Sequence, residues 1–318
     1  MSKLALDAAV FSDAAVAPDT RLVNDAIVKA LRALGERWAA PLPEIRAARL
    51  SGTGTFPLPP ESPRARVETI PGPRGPVPVR ILMPDGAPKG VYLHIHGGGW
   101  TVGSARENEG LTSRIAANCG LAVVSVDYAL APEEPYPAGP DDCEAAALWL
   151  VNEGPARFGT QRFAIGGESG GATLAAATLR RLRDRHGLSP FAAAVLTSGC
   201  FDLRLTPSVR NWGELPLVLN TEDIARFVGN YLRLEGRADD PDVSPLLASL
   251  KGMPRALFTV GTRDPLLDDT LFMANAWLAA GNATELDVYA GGCHVFIGFP
   301  GTITDQALKR IDAFLTGF

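Results

Sequence analysis

Clustered positive charge is missing from this chain of 318 residues. Lys and Arg total 30 against 35 Asp and Glu, a formal net charge of −5 at pH 7. A nucleic-acid partner would call for Lys and Arg gathered on one face, so that class is set aside. The nearest approach is Arg180, Arg181, Arg183 and Arg185. These read as the solvated end of a helix, where cations suit the negative pole of the helix dipole. Cysteine is scarce. Cys119, Cys143, Cys200 and Cys293 include no C-x-x-C pair, and they read as reduced core or loop thiols rather than a disulfide framework. No uncharged apolar run is long enough to span a membrane, so no membrane partner is expected. The opening Met-Ser-Lys-Leu-Ala-Leu-Asp has no sustained apolar stretch before Asp7 and Asp13. A secretory signal is therefore not expected, and the expected location is the cytoplasm. The chain also lacks G-x-x-x-x-G-K-[ST] and a clean G-x-G-x-x-G, which argues against a phosphate loop and against dinucleotide binding.

What is present is 46% hydrophobic residues, ample to bury a core and suited to one large α/β domain with an accessory part. Leu22, Ala26, Ile27, Ala30, Leu31 and Leu34 recur at helical spacing. A second short helix is predicted after Pro43, and a Gly-, Pro- and Ser-rich linker follows over 51–63. The first 60 residues thus read as a helical preface. From Val67 onward, short apolar runs alternate with helix-like segments. Strands are predicted at Val77–Met83, Val91–Ile95, Ala122–Val126, Arg162–Ile165, Ala192–Leu196, Ala256–Val260 and Leu286–Tyr289. Helices are predicted near 106–118, 141–152, 171–186 and 265–280. That alternation implies a largely parallel sheet covered on both faces. Arg66–Ile70 and Val77–Met83 flank a Pro-Gly-Pro-Arg-Gly-Pro turn, which predicts an antiparallel start. Between Phe201 and Pro254 the alternation stops. One amphipathic helix is predicted there, carrying Ile224, Phe227, Val228, Tyr231 and Leu232, with Thr221 as its N-cap. An insertion of this length between core strands is a lid candidate.

The chemistry-bearing motifs follow predicted strands. Gly167-Glu168-Ser169-Gly170-Gly171 fits G-x-S-x-G between a strand and a helix, the setting of a nucleophile elbow. Ser169 would sit on a tight turn at unfavourable φ/ψ. A side chain at 167 or 171 would collide across that turn. His96-Gly97-Gly98-Gly99-Trp100 follows Val91–Ile95. By composition, chance would yield about 0.1 G-x-S-x-G matches but only about 0.004 of His-Gly-Gly-Gly, so the triple glycine is the stronger signal. Consecutive glycines let N–H groups converge on the oxygen of a tetrahedral acyl-transfer intermediate. Gly98 and Gly99 are the candidate donors, with Gly170 N–H as the third and His96 and Gly97 as loop support. His94 and His96 share a strand face, but no carboxylate has ligand spacing, and no metal is expected.

Four histidines are present. His186 sits at a helix end, where a dipole role suffices. His294, on a glycine-rich loop after Leu286–Tyr289, is the candidate base. The orienting acid should lie between Ser169 and His294. Asp264, at the end of Ala256–Val260, is the first candidate, and Asp268 the alternative. Trp100, Trp212, Phe227, Tyr231 and Phe296 are candidate walls of an apolar pocket, or else ordinary core.

Taken together, the chain resembles the hormone-sensitive-lipase-like family (family IV) of bacterial esterases, of the α/β-hydrolase fold. The pieces are His96-Gly97-Gly98-Gly99-Trp100, Asp127-Tyr128-Ala129-Leu130-Ala131-Pro132-Glu133, Gly167-Glu168-Ser169-Gly170-Gly171, Asp264-Pro265-Leu266 and His294, within roughly residues 66–318. The resemblance implies a mostly parallel eight-stranded sheet with helices on both faces. It also implies a helical cap built from 1–60 and the insertion 201–253, with 61–200 and 254–318 forming the catalytic domain. It further implies a cofactor-free hydrolase of short- to medium-chain esters, often dimeric in the family. Amidase, lactonase or carbamate hydrolase activity stays open, and so does a non-catalytic small-molecule receptor. The chain departs from the family pattern at Glu168, Gly170 and Ala172 in the elbow, at Ala129 after Tyr128, and at Glu134-Pro135-Tyr136-Pro137-Ala138.

Overall fold

The computed structural model describes residues 4–35, 38–233 and 237–318. Residues 1–3 and 36–37 of the N-terminal preface, and 234–236 of the insertion, lie outside the described residues. In chain order the first half comprises α1 (Pro18–Ala33), α2 (Leu42–Leu50), β1 (Ala65–Gly72), β2 (Gly75–Leu82), β3 (Val91–Ile95), α3 (Glu109–Cys119), β4 (Ala122–Val126) and α4 (Ala138–Phe158). The second comprises β5 (Phe163–Glu168), α5 (Gly170–His186), β6 (Phe191–Thr197), α6 (Pro207–Trp212), α7 (Thr221–Leu232), β7 (Arg255–Arg263), α8 (Leu267–Ala279), β8 (Thr284–Cys293) and α9 (Thr302–Thr316). α9 lies beyond the helices predicted from periodicity.

Among the described residues the strands form one eight-stranded sheet in the order β1-β2-β4-β3-β5-β6-β7-β8. β1 pairs with β2 and β2 with β4 antiparallel, and every later pairing is parallel. The predicted hairpin start is therefore present. β3, β4 and β5 are buried along their whole length, the mark of central parallel strands. Successive side chains of each strand feed different clusters. Leu93, Ile95, Val124 and Ile165 join one, while Tyr92, Val123 and Ala164 join the other. That is the period-2 alternation of a strand.

The strand order reverses at β3, which lies between β4 and β5. In open α/β sheets, ligands bind beyond the carboxyl ends of strands at such a switch point. Here the carboxyl ends of β3, β5, β7 and β8 lead directly to His96, Ser169, Asp264 and His294.

Two local expectations are corrected. The N-cap of α7 is Asn220, not Thr221. Asn220 Oδ1 accepts from Asp223 N–H at 2.8 Å, and the Asp223 carboxylate accepts from Asn220 N–H at 3.0 Å. The Thr221 hydroxyl instead donates to Val209 O at 2.6 Å. The arginines of α5 are not one solvated face either. Arg181 is fully buried and bonded to Asp242, Asp141 and Glu144. His186, too, does more than complement a dipole, donating to Glu144 at 2.7 Å.

Candidate active site

Ser169 stands at the end of β5 with φ 54° and ψ −125°, a conformation that strains any residue with a Cβ. The turn allows no side chain at its flanks. A Cβ on Gly167 would lie 2.2 Å from Ile95 O, and one on Gly171 would lie 2.0 Å from the same atom. Ser169 N–H donates to Thr197 O at 2.9 Å, which ties the elbow to β6.

The loop after β8 brings His294 against the elbow. Ser169 Oγ lies 2.9 Å from His294 Nε2, and His294 Nδ1 lies 3.0 and 3.1 Å from the two Asp264 carboxylate oxygens. An ionised carboxylate only accepts, so this arrangement calls for the tautomer in which Nδ1–H donates to Asp264 and the Ser169 hydroxyl donates to Nε2. Asp264 also accepts from Leu266 N–H at 2.9 Å, which fixes its rotamer. All three side chains are buried. Asp268 points elsewhere, accepting from Ser208 N–H at 2.8 Å.

Gly98 and Gly99 adopt φ 113° and 56°. The turn closes through Thr101 N–H and Val102 N–H, both donating to Gly98 O. A Cβ on Gly98 would lie 2.0 Å from Val102 O. Gly97 abuts the elbow, since its Cβ would approach Glu168 O to 2.8 Å. Among the described residues no hydrogen bond uses the N–H of Gly98, Gly99 or Gly170. His96 supports the loop from below. It stacks on Tyr128 at 4.2 Å between centroids, and Tyr128 Oη donates to His96 O at 2.9 Å. Burial holds the His96 imidazole below its usual range, so the ring acts as a neutral packing and hydrogen-bonding group.

Three of the five aromatic candidates gather on this loop. Trp100 donates through Nε1 to Gly170 O at 3.1 Å and stacks on Tyr231 at 4.5 Å. Phe227 lies on Gly99 so closely that a Cβ there would come within 2.2 Å of the ring. Phe227 and Tyr231 are one helical turn apart on α7, so one face of that helix covers the glycine loop. From the N-terminal segment, Trp38 packs edge-on against Phe227 at 5.1 Å and donates to Asp223 at 2.8 Å. Phe296 belongs instead to the second core cluster, and the half-buried Trp212 packs against that cluster. Trp212 Nε1 donates to Leu215 O at 2.9 Å, and Phe296 packs on Tyr289 at 5.1 Å.

Spacing along the chain does not foretell a buried polar row beneath the elbow. Glu168 of β5 pairs with His94 Nε2 of β3 at 3.0 Å, and His94 Nδ1 meets Ser125 Oγ of β4. His94 is therefore saturated by a hydroxyl and a carboxylate. Among the described residues no group of three or more His, Cys, Asp or Glu side chains is arranged to hold a metal. The one signal available was the unusual Glu168 itself. Its partner came from 74 residues away.

A strained serine, an imidazole and a carboxylate in hydrogen-bonded series, facing a glycine turn, define a serine hydrolase. Residues 92–298 match the alpha/beta hydrolase fold family. The chain belongs to that family, among its hormone-sensitive-lipase-like esterases. It is 35% identical over 239 residues to the carboxylic ester hydrolase LipN of Mycobacterium tuberculosis, covering 72% of this chain and 63% of LipN. It is 34% identical to the esterase LipI of the same organism, over 82% of this chain and 86% of LipI. Among solved structures, a hyperthermophilic esterase from the archaeon Pyrobaculum calidifontis superposes with a TM-score of 0.85. It shares 28% identity and covers 95% of this chain and 98% of that one. A hormone-sensitive lipase from a metagenome library superposes at 0.82 with 27% identity, covering 94% and 98%.

Proposed function

We propose that this protein hydrolyses carboxylic esters of short to medium acyl chains through a Ser169–His294–Asp264 triad and a covalent acyl-enzyme. The observation that carries the reading is the unbroken series from Ser169 Oγ through His294 to Asp264, each step about a hydrogen bond long. His294 Nε2 takes the Ser169 proton as Oγ attacks the ester carbonyl. Asp264 keeps the imidazole in the tautomer that can do so and stabilises the imidazolium. The oxygen of the tetrahedral intermediate accepts from the N–H groups of Gly98, Gly99 and Gly170. His294 then protonates the departing alcohol, and water attacks the acyl-enzyme by the same route in reverse.

On this reading residues 61–200 and 254–318 form the catalytic domain, with helices on both faces of the sheet. Residues 1–60 and 201–253 form a helical cap, and Trp100, Phe227 and Tyr231 wall the pocket beneath it. The contact of Trp38 with Phe227 supports a cap assembled from both segments.

The test is hydrolysis of a chromogenic butyrate ester. Ser169→Ala and His294→Ala should each cost roughly 10⁴-fold or more in kcat, and Asp264→Asn about as much, because Asn stabilises the wrong tautomer. Wild-type rates in Ser169→Ala would sink the reading. Full activity in Asp264→Asn, with loss in Asp268→Asn, would move the acid to Asp268.

A further inference from the structure

The loop that carries the candidate oxyanion donors is built largely of glycine. A Gly-Gly-Gly run has little intrinsic stiffness, so its geometry must be imposed from outside. One of the groups that does so comes from the N-terminal segment. Arg46 of α2 donates through Nε to Thr101 O at 2.8 Å and through Nη2 to Ala131 O at 2.8 Å. The same guanidinium grips the Glu133 carboxylate with Nη1 at 3.0 Å and Nη2 at 2.8 Å.

One carbonyl belongs to a residue bonded directly to the glycines, and the other to a residue bonded to Trp100 beside them. Thr101 N–H donates to Gly98 O at 3.1 Å, and its hydroxyl donates to Gly99 O at 3.0 Å. Ala131 N–H donates to Trp100 O at 2.8 Å. Thr101 is fully buried and the Arg46 side chain is 21% exposed, so the bonds to the two carbonyls are partly shielded from water, while Glu133 reaches the guanidinium from the solvent side. A planar fork with five donors can serve two carbonyls and a carboxylate at once. A lysine ammonium, a point donor on a flexible stem, cannot hold the same three in register.

We propose that Arg46 is a positioning residue for the oxyanion hole. By holding the carbonyls of Thr101 and Ala131 it fixes where the N–H groups of Gly98 and Gly99 point. The N-terminal segment is then part of the apparatus that stabilises the transition state, and not only a cover over the substrate. The inference rests on the assignment of Gly98 and Gly99 as donors under the esterase reading.

The experiment compares wild type, Arg46→Ala and Arg46→Lys on a chromogenic butyrate ester. It also measures inhibition by a trifluoromethyl ketone, which adds to a serine as a tetrahedral oxyanion. Deleting one oxyanion donor outright costs ~10²–10³ in kcat. Loosening two should cost Arg46→Ala ~10-fold or more in kcat, with KM within a factor of about 3. Ketone affinity should fall in parallel with kcat/KM, since both report the oxyanion. Millimolar guanidinium should restore part of the Arg46→Ala rate and none of any deficit in Arg46→Lys, whose side chain still fills the site. An Arg46→Ala enzyme with unchanged kcat and ketone affinity would overturn the proposal, as would a loss confined to KM. If Arg46→Ala does not fold, Arg46→Lys decides by the same split. A wild type lacking Ser169-dependent turnover would instead sink the esterase reading, and Arg46 with it. Turnover in wild type with equal kcat in Arg46→Ala would sink only Arg46.

Discussion

Glu168 stands one residue before Ser169, and its environment explains why a carboxylate can sit there. A buried acid must be paired or hydrogen-bonded; His94 on the neighbouring β3 and Ser125 on β4 beyond it supply a polar row across β5, β3 and β4. The row ties the strand that leads to the glycine loop to the strand that leads to Ser169. Removing Glu168 leaves His94 Nε2 buried without its acceptor, and removing His94 leaves the Glu168 carboxylate without its donor, at a cost of about 1–3 kcal/mol. Glu168→Ala and His94→Ala should therefore each lower the melting temperature. The double variant should be less destabilised than the sum of the two, with a coupling of about 0.5–3 kcal/mol. Strictly additive melting shifts would show that the pair contributes nothing as a pair.

The first turn of α8 carries two acids with different work. Asp268 meets Ser208 at the start of α6, while Asp269 is fully buried and receives Phe201 N–H at 2.7 Å, Asp202 N–H at 3.0 Å and the Thr206 hydroxyl. Asp269 thereby anchors the first residues of the insertion to the helix that follows Asp264. Burial drives its carboxyl from 3.8 up to about 7, against the lowering effect of those three hydrogen bonds. A carboxyl raised on folding binds its proton more tightly in the native state. Its contribution to stability is present below the unfolded value and is lost as pH rises toward about 7. Asp269→Asn keeps two acceptor bonds and can donate to Thr206, but it does not titrate. The melting temperature of Asp269→Asn relative to wild type should thus climb between pH 4 and pH 8. A constant difference across that window would remove Asp269 as the cause.

Arg181 joins parts of the molecule that are far apart in the chain. It is fully buried on α5, the helix that begins at the elbow. It bonds Asp242 in the insertion and Asp141 and Glu144 on α4. Tyr136 donates to the same Asp242 at 2.8 Å. Burial would raise the Asp242 carboxyl, but the Arg181 hydrogen bond and charge outweigh it and hold it at about 2. Breaking a buried pair costs about 3–5 kcal/mol when one charge is left uncompensated. Asp242→Ala should fall at the low end, because Arg181 keeps Asp141 and Glu144. The destabilisation should be visible in thermal unfolding at pH 7, and it should shrink toward pH 2 as the wild-type carboxyl itself protonates. Equal melting of the two proteins at pH 7 would mean that this network does not secure the insertion.

The chain alone carries the strand–helix alternation, the two glycine motifs and the order Ser169, Asp264, His294. These are local patterns: burial periodicity writes strands and helices, and a tight turn admits only glycine at 167 and 171. The acid could be narrowed to Asp264 or Asp268 by order, but only the course of the chain after β7 turns one toward His294 and the other toward Ser208. α9 buries Ala307, Ile311, Phe314 and Leu315 along one stripe, a helical period that stands after the last chemistry-bearing motif and carries no chemistry of its own. Long-range pairings left no trace in spacing. His94 finds Glu168, Arg46 finds Thr101, and Arg181 finds Asp242 because the sheet order and the insertion bring them together. A lone polar residue does not name its partner. In the same way, the five aromatic candidates are equivalent as residues, and folding places Trp100, Phe227 and Tyr231 on the glycine loop, Phe296 in the second core cluster and Trp212 against its edge.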